Sequence, residues 1–170
     1  SHVKKTTAQL ERLLLEAGVV GIEVDVSQLL DTDASPQLLA TTLAQVFQVH
    51  EGGKTPVVYT SRKELQFGDA QTRLEFGLAV SALLMAIVQG LPVDIGFLIS
   101  KGGITSNDVL STGLALRSAR LLGQILPGCS VVRTPADHPR FPDLPVVLFP
   151  GNVGDEDALA TVYQRLSSQV

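Results

Sequence analysis

A single cysteine, Cys129, is all the thiol chemistry this 170-residue chain contains. One cysteine forms no internal disulfide, and its neighbours Gly128 and Ser130 give neither a CxxC nor a zinc-ligand spacing. The expected compartment is therefore reducing and cytoplasmic. Basic excess is missing too: 13 Lys and Arg against 17 Asp and Glu leave a formal net charge of -4. That excludes a broad cationic face for nucleic acid, while leaving room for a few cations that serve a small anion. Nor is there a bilayer-length hydrophobic run. The longest stretch, from Gly77 to Gly90, falls short of the roughly 20 residues a spanning helix needs and follows the charged Arg73 and Glu75. It reads as a buried helix, with no membrane partner. The head of the chain, "SHVKKTTAQL", has no apolar core of the signal-peptide kind and no initiator methionine, so the chain is read as cut from something longer. His2, His50 and His138 lie far apart and read as surface residues, so no metal site is expected from side chains. No Ser-His-Asp order or carboxylate pair stands out, which leaves the catalytic residue unassigned. Internal repeats and low-complexity tracts are absent as well.

What is present is core. A 45% apolar content over this length fits one domain, residues 1–170. Leu10, Leu13, Leu14 and Ala17 recur at helical spacing over residues 5–17 and stop at Gly18. "GIEVDV" alternates as a strand. Ser35-Pro36 opens a helix that ends at Gly52-Gly53, and "TPVVYTS" is the next β-rich run. A long helix over 71–89 leads to "DIGFLIS", whose unbroken apolar character suits a strand covered on both faces. A further helix is predicted over 105–126, then a strand "CSVVRT", a proline-rich loop from Pro135 to Pro145, a strand "VVLF" and a closing helix over 157–168. Strands alternating with helices predict an α/β fold: a layered, mostly parallel or mixed sheet of about five strands flanked by helices.

Two glycine-bearing turns follow strands, where α/β folds gather their ligands. In "SKGGITSND", Gly102 and Gly103 let the backbone approach an anion, Lys101 adds a cation, and Thr105 or Ser106 is placed to cap the next helix. The spacing matches neither GxxxxGK[ST] nor GxGxxG, and a plain strand-to-helix turn would use the same residues. Asp108 would repel a phosphate unless a magnesium ion lay between. "FPGNVGDEDA" repeats the pattern at Gly151, Asn152 and Gly154. Lys4, Lys5, Thr6 and Thr7 near the chain head, and Ser61, Arg62 and Lys63 after a strand, are further candidates for anion contact, though each also reads as solvated surface.

"KGGITSNDV" and "FPGNVGD", with "SHVKKTTAQ" ahead of them, closely resemble the C-terminal nucleotide-binding domain of the four-carbon acid sugar kinases, over essentially the whole chain. The resemblance implies a two-domain enzyme whose N-terminal domain, absent here, holds the sugar acid. The γ-phosphoryl group of ATP, with Mg2+, would pass to the terminal hydroxyl of threonate, erythronate or a 3-oxo-tetronate. It also implies nucleotide contacts at Ser1, Gly102, Gly103, Ile104, Thr105 and Gly151, with Asn152 beside them and Lys101 added on charge. Many relatives carry a carboxylate where this chain has Ile104, so no acidic role is assigned there. A non-catalytic nucleotide-binding or assembly module is the competing class, and self-association into a homo-oligomer stays open.

Overall fold

A computed structural model of the chain describes residues 2–31, 33–61 and 65–168. The chain forms two compact units, one running from Gly18 to Pro92 and the other combining the residues up to Ala17 with those from Val93 on.

In the Gly18–Pro92 unit, β1 (Val19–Val24) and β2 (Thr55–Thr60) run parallel, Val19 opposite Thr55 and Val24 opposite Thr60. Parallel neighbours need a crossover, and α2 (Ser35–Glu51) supplies it, burying Leu38, Thr42 and Val46. Its proline sits in the first turn, where a missing N–H costs nothing. In α3 (Ala70–Gln89) the C-terminal half buries Leu83, Met85, Ile87 and Val88, whereas Leu74 and Leu78 are 57% and 61% exposed. The expected buried helix is thus buried over one half. By length and composition alone, α3 is long and apolar enough to cross a bilayer.

Asp69 caps α3, its carboxylate accepting the Thr72 N–H at 2.7 Å. That N–H, helped by the Thr72 hydroxyl, holds the Asp69 carboxyl below the usual range. A carboxyl depressed in the folded state stabilises above its unfolded value, about 3.9, and the gain is lost as pH falls through the depressed value. Asp69→Ala therefore lowers the thermal midpoint at pH 7, and the gap to the parent narrows as pH falls below the unfolded value toward the depressed one, as a series of melts from pH 7 downward will read.

The other unit holds a four-stranded mixed sheet in the order β3-β6-β5-β4, from β3 (Leu98–Lys101), β4 (Arg120–Leu126), β5 (Cys129–Arg133) and β6 (Pro145–Phe149). β3 and β6 are parallel, and the other two pairings are antiparallel. β6 is the buried centre, with Val146, Val147 and Phe149 at 0% exposure. α1 (His2–Leu13) and α5 (Ala158–Ser167) pack against each other. The α/β class stands as expected, with six strands among the described residues shared between two sheets.

The helix expected over 105–126 extends only as far as Gly113. α4 (Gly103–Asp108) runs into a π turn, Val109–Gly113, and the chain then turns through Ala115 at φ 52° before entering β4. Pro127 and Gly128, the latter at φ 86°, join β4 to β5, with Leu126 opposite Cys129. Pro followed by a positive-φ Gly is the type II turn signature, and this hairpin outcompetes a helix that would have carried Gly123 in its interior.

The proline-rich loop before β6 is tightly bonded. Thr134 is 2% exposed; its hydroxyl donates to the Phe141 carbonyl and accepts the Leu144 N–H. His138, expected at the surface, is half-buried: Nδ1 accepts the Phe141 N–H at 2.9 Å, and the opposite nitrogen faces the Leu114 carbonyl at 2.7 Å. An acceptor at Nδ1 fixes the donor at Nε2.

Candidate functional site

β3 and β6 end side by side. Lys101 and Phe149, their last residues, are register partners in the parallel pair, so the segments leaving the two strands emerge as neighbours. One leads through Gly102 into α4, and the other through Pro150, Gly151 and Asn152 toward α5. Gly102 takes φ 118°, a value that favours glycine. Its N–H donates to the Phe149 carbonyl at 2.7 Å, extending the sheet by one bond. Gly103, Ile104 and Thr105 form the first turn of α4, whose N–H groups have no carbonyls behind them within the helix. The side chains of Ile104 and Thr105 lie outside the described set.

The expected cap is replaced by a different bond. Thr105 and Ser106 lie inside α4, not ahead of it. Ser106 is buried and donates its hydroxyl to the Gly102 carbonyl at 2.6 Å, while its N–H reaches the same oxygen at 3.1 Å. The hydroxyl thus locks the glycine turn from behind.

Lys101, expected as a cation beside this turn, is held in place. Its Nζ donates to the Pro150 carbonyl at 3.0 Å and lies 4.7 Å from the centroid of the Phe149 ring, a cation–π arrangement. The lysine therefore spans from one strand end to the turn after the other. Its charge is felt at Cys129, which is fully buried: burial pushes the thiol up, and Lys101 works against that rise.

α1 grips the second turn at two points one helical turn apart. Lys5 Nζ donates to the Asn152 carbonyl at 3.3 Å, and Gln9 Nε2 donates to the carbonyls of Val153 at 3.0 Å and Asp155 at 2.9 Å. Gln9 is 0% exposed, and its Oε1 is buried with no hydrogen-bond partner among the described residues. The two glycines of "FPGNVGD" differ in kind. Gly154 takes φ 77°, and a Cβ there would sit 2.4 Å from the Ala158 Cβ, so packing requires glycine. Gly151 has no positive φ, and a Cβ there would meet nothing within 4 Å. Asn152 is exposed.

Lys101, Gly102, Gly103, Ile104, Thr105, Gly151 and Asn152 therefore belong to two adjoining turns, and α1 brings the third sequence motif against them through Lys5 and Gln9. Ser1 lies outside the described residues, as do Arg62 and Lys63. Ser61 belongs to the other unit, where its Oγ accepts the Val26 N–H at 3.2 Å. Gln9 escaped the sequence reading. Its signal was a polar residue four positions before Leu13 on the apolar face of α1. Among the described residues no group of three or more His, Cys, Asp or Glu is placed to hold a metal ion.

Residues 1–159 match the model of a family described as the nucleotide-binding C-terminal domain. Three solved structures share the fold. A Salmonella typhimurium LT2 protein, whose name assigns it provisionally a tRNA synthase activity, aligns at TM-score 0.70 and 19% identity over 95% of this chain. A Haemophilus influenzae protein of the DUF1537 family aligns at 0.67 and 20%, also over 95%. A Bordetella bronchiseptica DUF1537 domain, a domain-swapped dimer with bound citrate, aligns at 0.64 and 20% over 98%. The chain spans 38% of the length of each of these structures. No curated protein matches it significantly.

Proposed function

The chain belongs to the family of nucleotide-binding C-terminal domains, and from that membership we propose that it holds ATP, with Mg2+, at the adjoining turns after β3 and β6. In this reading residues 1–170 serve as the nucleotide half of a cytoplasmic kinase. A preceding domain would present the terminal hydroxyl of a four-carbon sugar acid: threonate, erythronate or a 3-oxo-tetronate.

The observation that carries the reading is the pairing of Lys101 with Phe149 at the ends of parallel strands, with Lys101 Nζ reaching across to Pro150. Ligands of α/β sheets gather at such carboxyl ends. Phosphoryl transfer asks the protein for alignment and charge neutralisation more than for covalent chemistry. The first-turn amides of α4 and the backbone amides at Gly151 and Asn152 would receive phosphate oxygens from two sides, with the Lys101 ammonium between them. Ser1 at the chain head would complete the contact set. Magnesium neutralises charge on the triphosphate. With no cluster of three protein ligands among the described residues, its coordination would rest on phosphate oxygens and water, the usual habit of this ion.

A fluorescent ATP analogue titrated into the full-length protein is expected to bind saturably and to be displaced by unlabelled ATP. Incubation with ATP and each sugar acid should then release ADP with at least one of them. Binding that never saturates sinks the nucleotide assignment; binding without ADP release sinks the kinase assignment alone.

A further inference from the structure

The far end of the mixed sheet carries a second charged feature that the nucleotide reading does not use. Arg120 opens β4, Arg133 closes β5, and the antiparallel register sets them directly opposite each other, with Pro145 next in the row on β6. Residues opposed in this way share a face, and like charges so placed destabilise a ladder. Among the described residues, neither guanidinium has a carboxylate within ion-pair distance. In a chain of net charge -4, two unneutralised arginines in one row are a local reversal of sign.

The pair borders a depression of about 320 Å³, which Ser118, Thr134, Ala136 and Asp143 also line. Its walls are fixed. Arg133 Nη1 donates to the Asp143 carbonyl at 2.9 Å, which orients the guanidinium and uses one of its five N–H donors. Thr134 is held by Phe141 and Leu144, and His138 pins the loop to Leu114. Four residue steps along β6, roughly 13 Å of strand, separate Pro145 in this row from Phe149, so the depression is distinct from the glycine turns.

We infer that the depression beside Arg120 and Arg133 is an oxyanion site, taking the carboxylate or phosphate group of a small organic anion. Two guanidiniums offer the planar forks that such groups match. Asp143, which also lines the depression, makes the set less positive than a bare arginine pair, so a small anion with one or two charges fits it better than a polyanion.

The test follows the amide cross-peaks of Ser118, Ala119 and Ala136 in the 15N-labelled chain during titration with inorganic phosphate and, separately, malonate, at constant ionic strength. Saturable shifts of these three amides are expected, with phosphate or malonate the tighter probe according to whether the group held is a phosphoryl or a carboxylate. Arg120→Gln, at an exposed strand end, weakens the apparent affinity roughly tenfold, the size of one charge-assisted hydrogen bond; Arg133→Gln does at least as much. The inference is overturned if neither probe saturates, if the shifts survive unchanged in Arg120→Gln, or if only Gly151 and Asn152 respond.

Discussion

Gly151→Val weakens ATP binding by at least tenfold, about 1.4 kcal/mol, while leaving the thermal midpoint of the protein where it is. Both halves of that outcome follow from the position. The glycine has no positive φ, and an added Cβ meets no atom within 4 Å, so the folded chain accepts the side chain, within the roughly 0.5 kcal/mol scatter of surface substitutions. What the branched side chain fills is open space beside the turn, which in the proposed reading is where the phosphates would lie. Gly154→Val is the matched contrast three residues on. Its φ of 77° and the 2.4 Å approach to Ala158 combine backbone strain with overpacking, each costing about 1–3 kcal/mol. The melt therefore falls steeply for Gly154→Val and stays put for Gly151→Val. Fluorescence titration of the full-length protein reads the other axis, and a Gly151→Val protein that binds the analogue as the parent does would remove the second turn from the site.

The same contrast shows what a sequence carries and what it withholds. Both glycines look alike in "FPGNVGD", and only coordinates distinguish the one that packs against Ala158 from the one that faces open space. Period and breakers were enough for the α/β class, for the ends of α2 and α3, and for the position of both turns after strands. They did not separate a helix from a strand at "RLLGQIL", because a short apolar run fits either, although the Pro127-Gly128 turn signal stood in plain view. Nor could they show that β3 and β6 are neighbours. Strand order arises from long-range pairing, with residues 98–101 laid beside 145–149, and no local pattern encodes that partner. For the same reason the tie from Lys101 to Pro150 and the burial of Gln9 become visible only after folding.

Gln9→Glu is expected to be the most damaging single change in the α1 region, and its damage should depend on pH. The parent amide donates to the carbonyls of Val153 and Asp155 from a side chain that is 0% exposed. A carboxylate at pH 7 has no proton to donate, points negative charge at two carbonyl oxygens, and is buried, while the Lys5 ammonium one helical turn away already donates to the Asn152 carbonyl. Uncompensated buried charge costs about 3–5 kcal/mol, a large share of the 5–15 kcal/mol that holds a typical domain together. Burial raises the folded-state value of the new carboxyl above the unfolded one. The folded protein then binds the extra proton first, and stability relative to the parent recovers as pH falls through the raised value. Protonated, the carboxyl regains one donor for one carbonyl. Gln9→Leu separates charge from hydrogen bonding: it deletes both donors but also the orphaned Oε1, so its loss is smaller, about 1–3 kcal/mol, and flat with pH. Melts of both variants between pH 5 and pH 8 read the difference. Because Gln9 holds the loop that carries Gly151 and Asn152, nucleotide affinity measured where each variant remains folded should fall in both. An unchanged affinity in the folded Gln9→Leu protein would mean that the loop keeps its shape without the α1 tether.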